Sequence, residues 1–74
     1  MSRLPSLTPA KILRALKQAG FIEIGQKGSH IKLLNPHSNY RTVVPIHSRD
    51  LKRSLLKEII KQAGLSENEF LKLL

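Results

Sequence analysis

Gly28-Ser29-His30-Ile31-Lys32-Leu33-Leu34 is the stretch that decides the fold of this chain. Its centre alternates between polar and apolar side chains, so Ile31 and Leu33 share one side of an extended strand. His30 and Lys32 share the other side. The alternation allows two orientations of the strand. If Ile31 and Leu33 face the core, His30 and Lys32 lie on the opposite surface, together with Leu34 at the end of the strand. Histidine is the side chain that changes charge near neutral pH.

The segments on either side of this strand predict a three-stranded antiparallel sheet. Phe21 to Ile24 alternate as a first strand, and Gly25-Gln26-Lys27-Gly28 predicts a hairpin loop whose amides and lysine can meet a phosphate. Asn35-Pro36-His37-Ser38-Asn39 predicts the next turn. Tyr40 to Ile46 is rich in β-branched residues and predicts a third strand, which Pro45 either ends or places at an edge.

Helical patterns enclose the three strands. Thr8-Pro9 predicts an N-cap with proline in the first turn, and Gly20 predicts the end of that helix. A second helical pattern follows the third strand. Its N-cap can be either Ser48 or Ser54, and the sequence does not distinguish between them. Its apolar stripe contains Leu51, Leu55, Leu56, Ile59, Ile60 and Ala63. Ser66-Glu67-Asn68-Glu69 has capping-box spacing and predicts a short final helix. That helix is expected to bring three apolar side chains to the core: Phe70, Leu71 and Leu74. The fold class is therefore α+β, in the order α-β-β-β-α with a short C-terminal helix.

Composition limits the kind of protein this can be. The chain has 74 residues and 41% hydrophobic residues, with only three aromatic residues, so we expect one domain over residues 1–74, with an aliphatic core and residues 1–6 as an N-terminal extension. Because there is no cysteine, disulfides, thiol nucleophiles and zinc knuckles are excluded, and we expect no metal and no other cofactor. There is no apolar stretch of about 20 residues and no N-terminal signal region, so the expected location is cytoplasmic, without a membrane partner.

The charge predicts a polyanionic partner. Thirteen Lys and Arg residues against five Asp and Glu residues give a formal charge of +8, which favours nucleic acid. Membrane binding is disfavoured, because the cations are spread over helices, loops and strands instead of following one helix face. Four helical cations are candidates for phosphate contacts, with a simple solvated surface as the alternative: Lys11, Arg14, Arg53 and Lys57.

Several short motifs follow one another along the chain in a characteristic order. They are Gly20-Phe21, Gly28-Ser29-His30, Val43-Val44-Pro45-Ile46-His47, Leu51-Lys52, Ile59-Ile60-Lys61-Gln62-Ala63-Gly64-Leu65-Ser66 and Glu69-Phe70. Together they resemble the HicA family over about Leu7 to Leu74. The resemblance implies a double-stranded-RNA-binding-domain-like fold and an mRNA interferase, a metal-independent endoribonuclease that halts translation until a HicB-type antitoxin binds it. It also implies that His30 is catalytic. Ser54 stands where many members carry glycine, which bears on the helix start and not on the site.

Metal-free RNA cleavage needs a base for the 2′-hydroxyl proton, a cation beside the phosphorus and an acid for the departing oxygen. His30 can serve as the base or as the acid. In an antiparallel hairpin His47 comes within about 7 Å of His30. It is a candidate second acid or base, with a capping or packing role as the alternative. The candidate RNA contacts near His30 are Lys27, Gly28, Ser29 and Lys32.

A non-catalytic reader of double-stranded RNA is the main alternative. It would span phosphates with Lys11 and Arg14 on the first helix and with Arg53 and Lys57 on the second, recognising shape more than sequence. Three successive strands disfavour a major-groove DNA reader. The lack of paired aromatics on the strands disfavours stacking of bases on the sheet. RNA and an antitoxin are thus the expected partners, with no small-molecule substrate.

Overall fold

The computed structural model describes residues 4–46 and 49–74. Its elements are α1 (Pro9–Gln18), β1 (Ile22–Lys27), β2 (His30–Leu34), β3 (Arg41–Pro45), α2 (Arg53–Gln62) and α3 (Glu67–Leu71). The strands form one antiparallel sheet in the order β1-β2-β3. The predicted α+β fold, with a three-stranded antiparallel sheet and a short C-terminal helix, is confirmed.

The core lies between one face of the sheet and the helices. Ile31 and Leu33 of β2 and Val44 of β3 are buried, so of the two orientations that the alternation in β2 allows, the structure has the one in which Ile31 and Leu33 face the core. They belong to one cluster with buried helical side chains: Ile12, Leu16, Leu56, Ile59, Ile60 and Phe70. Burying an aliphatic side chain of this size contributes about 1.5–3 kcal/mol. Leu4, in the segment predicted as an N-terminal extension, is also buried in this cluster.

Helix α1 begins and ends where the sequence predicts. The Thr8 side chain accepts a hydrogen bond from the Lys11 amide at 3.4 Å, and proline occupies the first turn. Past the end of the helix, Gly20 has a φ of +104°, a conformation that glycine adopts without steric cost. The side-chain amide of Asn35 donates to the Ala19 carbonyl at 3.3 Å. This bond joins the end of α1 to the turn between β2 and β3.

The β1–β2 hairpin is tighter than the sequence predicts. The prediction that residues 25–28 form a loop is wrong, because β1 continues through Lys27, which pairs with His30. The register shifts between Glu23 and Gly25, so the first glycine marks a bulge in a continuing strand. The turn itself is Gly28-Ser29, and a φ of +58° at Gly28 fits the first central position of a two-residue type II′ turn.

Strand β3 is both at an edge of the sheet and ended by Pro45, so each of the two predicted roles of this proline is met. The strand is one residue shorter at each end than predicted. Pairing continues slightly further, because the Ile46 amide donates to the Ser29 carbonyl at 2.6 Å. This bond brings the end of β3 to the turn that precedes His30.

Neither serine considered as the N-cap of α2 is confirmed. Lys52 occupies that position without a side-chain hydrogen bond, Ser54 lies inside the helix, and Ser48 lies outside the described residues. Leu51 precedes the helix and its amide donates to the Leu7 carbonyl at 2.9 Å. Leu55 is 40% exposed, so its assignment to the buried stripe is wrong.

Helix α3 has the predicted capping box, in which Ser66 and Glu69 hydrogen-bond reciprocally. Phe70 is fully buried, and Leu71 packs against the core. Leu74 is 53% exposed, so its predicted place in the core is wrong. Among the helices of residues 4–46 and 49–74, none is long and apolar enough to cross a membrane.

Candidate functional site

The candidate site lies on the face of the sheet that is turned away from the helices, here called the outer sheet face. Its positions follow from the strand register, because they alternate with the buried positions of the same strands. In cross-strand rows, they are Lys27, His30 and Pro45, then Gly25, Lys32 and Val43, then Ile22, Leu34 and Arg41. Lys27, His30 and Lys32 are all exposed. The structure therefore brings the central histidine and two lysines together on one surface.

The outer sheet face also carries exposed apolar side chains. Ile22 and Val43 are exposed by 51% and 38%, and Ile24, at the bulge of β1, is exposed by 46%. The one acidic residue of β1, Glu23, pairs with Leu33 on the core side and forms an ion pair with Lys17 of α1. The outer sheet face is therefore cationic and partly apolar, a composition that suits binding of a polyanion or a protein partner.

A shallow cleft of about 390 Å³ opens beside His30, between the edge strand β3 and helix α2. His30, Val43 and Pro45 form the sheet wall of the cleft. The helix wall is formed by Leu55, Glu58, Ile59 and Gln62. These four residues have the i, i+3, i+4, i+7 spacing of a single helix face. The cleft thus joins the outer sheet face to one face of α2.

The position of α2 against β3 is fixed by a buried hydroxyl. Thr42 is 2% exposed, and its hydroxyl donates to the Gln62 side-chain oxygen at 3.0 Å, with the Ile59 carbonyl at 3.4 Å. Ile59 and Gln62, the two acceptor residues, belong to the helix wall of the cleft. Because a buried donor is costly to leave unpaired, this contact holds the helix wall of the cleft in a fixed position against the sheet wall.

The His30 imidazole makes no hydrogen bond or ion pair with any residue in the described part of the chain. It is exposed at the start of β2, and its two ring nitrogens have no partner among residues 4–46 and 49–74. The turn before it is held by the Gln26 side chain, which donates to the Gly28 carbonyl at 3.0 Å. A rigid turn thus fixes where the histidine begins its strand.

The other predicted site residues fall into three groups. Gly28 and Ser29 form the turn directly before His30. Exposed cations of the helix layer lie outside the outer sheet face: Lys11 and Arg14 on α1, Arg53 and Lys57 on α2. His47, the predicted second acid or base, lies outside the described residues.

Sequence reasoning missed Glu58 and the rest of the helix wall. The spacing of residues 55, 58, 59 and 62 shows that they share a helix face, but it does not show that this face meets His30. No group of three or more His, Cys, Asp or Glu side chains with a metal-binding arrangement occurs within residues 4–46 and 49–74.

A family model described as the HicA toxin of bacterial toxin-antitoxin systems matches residues 9–65. That segment runs from the start of α1 past the end of α2 and contains the outer sheet face and the cleft. None of the curated proteins compared with the chain matches it. Because the family model covers well over half of the 74 residues, the chain belongs to the HicA family of toxins, which act in toxin-antitoxin systems and have an antitoxin as partner.

Proposed function

We propose that this toxin is an mRNA interferase, a metal-independent endoribonuclease with His30 at its chemical centre. The observation that carries the proposal is the surface shared by His30, Lys27 and Lys32. An exposed imidazole lies there between two cations, on a chain with a net charge of +8. They supply the cations and one of the two proton-transfer groups that cleavage of an RNA phosphodiester requires.

Each group has a part in this reaction. His30 moves a proton to or from an RNA oxygen, because imidazole both donates and accepts protons near neutral pH. Two lysines attract the phosphate. Lys27 is paired with His30 across the hairpin, and Lys32 lies two residues further along β2. The turn of Gly28 and Ser29 lets the RNA backbone come close, with the serine hydroxyl as a hydrogen-bond donor.

The proposed partners follow from the same surface. The outer sheet face is cationic and carries exposed isoleucine and valine side chains. A HicB-type antitoxin with an acidic or partly apolar surface can cover it and exclude RNA. The target is mRNA, whose backbone contacts extend to helical cations such as Arg53 and Lys57.

A second candidate function is a non-catalytic reader of double-stranded RNA. The observation that favours it is the set of exposed cations on two helices: Lys11, Arg14, Arg53 and Lys57. Such a protein would bind phosphates without using His30. The two functions therefore differ in what happens when this histidine is removed.

The test is incubation of the purified protein with a long single-stranded RNA in EDTA, beside His30→Ala. His37→Ala is the matched control, because His37 is an exposed histidine of the β2–β3 turn. We expect the parent and His37→Ala to cut the RNA, and His30→Ala to bind it with similar affinity and leave it intact. Equal cutting by all three proteins would remove His30 from the mechanism. Salt-dependent binding without any cutting would favour the reader.

A further inference from the structure

We infer that Glu58 is the second proton-transfer group of the site, acting as the base while His30 acts as the acid. The inference rests on the proposed ribonuclease function. Among the described residues, His30 and Glu58 are the two ionisable side chains that line the cleft. They come from opposite walls, one from β2 and the other from α2. A phosphodiester bound between these walls would meet one group on each side.

The packing of α2 holds Glu58 at this wall. Its neighbours one turn away, Leu55 and Gln62, line the same cleft, and Ile59 is buried beneath it. The hydrogen bond from Thr42 to Gln62 fixes the rotation of the helix about its own axis. Rotation of α2 that removed Glu58 from the cleft would also break this bond and expose Ile59.

The residues around Glu58 suit a carboxylate that acts as a base opposite His30 as the proton donor. The remaining side chains of the cleft are uncharged: Val43, Pro45, Leu55, Ile59 and Gln62. The charged groups around it are cationic. Lys27 and Lys32 lie on the outer sheet face, and Lys57 and Lys61 flank Glu58 on α2. Glu58 forms no ion pair with any described residue, so its oxygens are available to a ligand.

The chemistry assigns one role to each group. The Glu58 carboxylate takes the proton of the 2′-hydroxyl, and the 2′-oxygen forms a bond to phosphorus. The bond from phosphorus to the 5′-oxygen breaks, and protonated His30 gives its proton to that oxygen. The products are a 2′,3′-cyclic phosphate and a 5′-hydroxyl, with no other reactant. Lys27 and Lys32 stabilise the charge that develops on the phosphate.

The test compares Glu58→Gln with the parent on a defined single-stranded RNA in EDTA, under single-turnover conditions. Glu67→Gln is the matched control, because it makes the same change of charge on α3. We expect Glu58→Gln to cut about 100-fold more slowly or worse and to bind RNA as tightly as the control. Glu58→Asp, which keeps the carboxylate but shortens its reach, is expected to retain partial activity.

A substrate with sulfur in place of the departing 5′-oxygen separates the two roles, because a thiolate leaves without an acid. We expect this substrate to restore cutting by His30→Ala but not by Glu58→Gln. Rescue of Glu58→Gln alone, or a Glu58→Gln rate equal to that of Glu67→Gln, would overturn the inference and leave the ribonuclease proposal standing. Failure of the parent to cut would overturn both.

Discussion

The ring of Tyr40 lies directly over Gly64, so that the residue before β3 packs against the second residue after α2. A Cβ atom at Gly64 would overlap three ring carbons of Tyr40, and the glycine has a φ of +73°. The contact holds the C-terminal end of α2 to the sheet, at the opposite end of β3 from His30.

Gly64→Ala is expected to lower the free energy of unfolding by about 1–3 kcal/mol, since a left-handed alanine is strained and the ring must move. Urea denaturation measures the change. Gly25→Ala is the control, because an added Cβ there meets nothing within 4 Å and its φ is not positive. When Gly64→Ala is combined with Tyr40→Ala, the decrease in the free energy of unfolding that Gly64→Ala causes should be smaller, because only the strain of the left-handed backbone remains. An equal loss in both backgrounds would show that the ring contact is unimportant.

Thr42→Val is expected to destabilise the protein by about 1 kcal/mol, because it removes the buried hydroxyl that bonds to Gln62. A double-mutant cycle with Gln62→Ala isolates this pair. Unfolding free energies of the two single variants and the double variant should give a coupling of at least about 0.5 kcal/mol. Strict additivity would mean that the hydrogen bond does not hold α2 against β3.

The capping box of α3 should make stability depend on acid pH. The backbone N–H of Ser66 and then its hydroxyl hold the pKa of Glu69 below its ordinary value of 4.5. A carboxyl whose pKa is lowered by folding stabilises the folded state above its unfolded pKa and loses that effect as pH falls through the folded pKa. The advantage of the parent over Glu69→Gln in urea should therefore be full above about pH 4.5 and shrink in more acidic solution. An advantage that is constant with pH would contradict this assignment.

Lys32→Gln is expected to weaken RNA binding and to reduce the slope of log affinity against log salt by about 0.7, the value for one phosphate contact on a single strand. Fluorescence anisotropy at several salt concentrations measures the slope. Lys72→Gln, with the same loss of charge at the end of α3, should leave the slope unchanged. Equal slopes for both variants would indicate that only net charge matters.

The antitoxin should stabilise the toxin against heat, because a ligand of the folded state adds about 2.7 kcal/mol at 100 times its dissociation constant. For a domain of this size the melting temperature should rise by more than about 10 °C. Calorimetry with saturating antitoxin tests this. An unchanged melting temperature would argue against a direct complex.

The local signals in the sequence were sufficient for most of the secondary structure. Thr8 with Pro9, Gly20 and the Ser66 capping box place helix ends correctly, because a cap depends on residues within one turn. A glycine in the sequence did not by itself show which structure it forms, because loops and strand bulges both use this residue. Gly25 fits a loop as well as a bulge, and only the pairing of Lys27 with His30 distinguishes them.

The sequence alone determined both ends of α1 and the start of α3, because each cap depends on neighbouring residues. It also placed His30 and Lys32 on one face of β2, opposite Ile31 and Leu33. Only the packing of the helices decided which of these two faces meets the core. Tertiary structure decided what lies opposite that histidine. His30 and Glu58 are far apart in the chain, and they line one cleft only because Thr42 fixes α2 along the edge of β3. No periodicity within either segment encodes that pairing, because it depends on how the helix docks on the finished sheet.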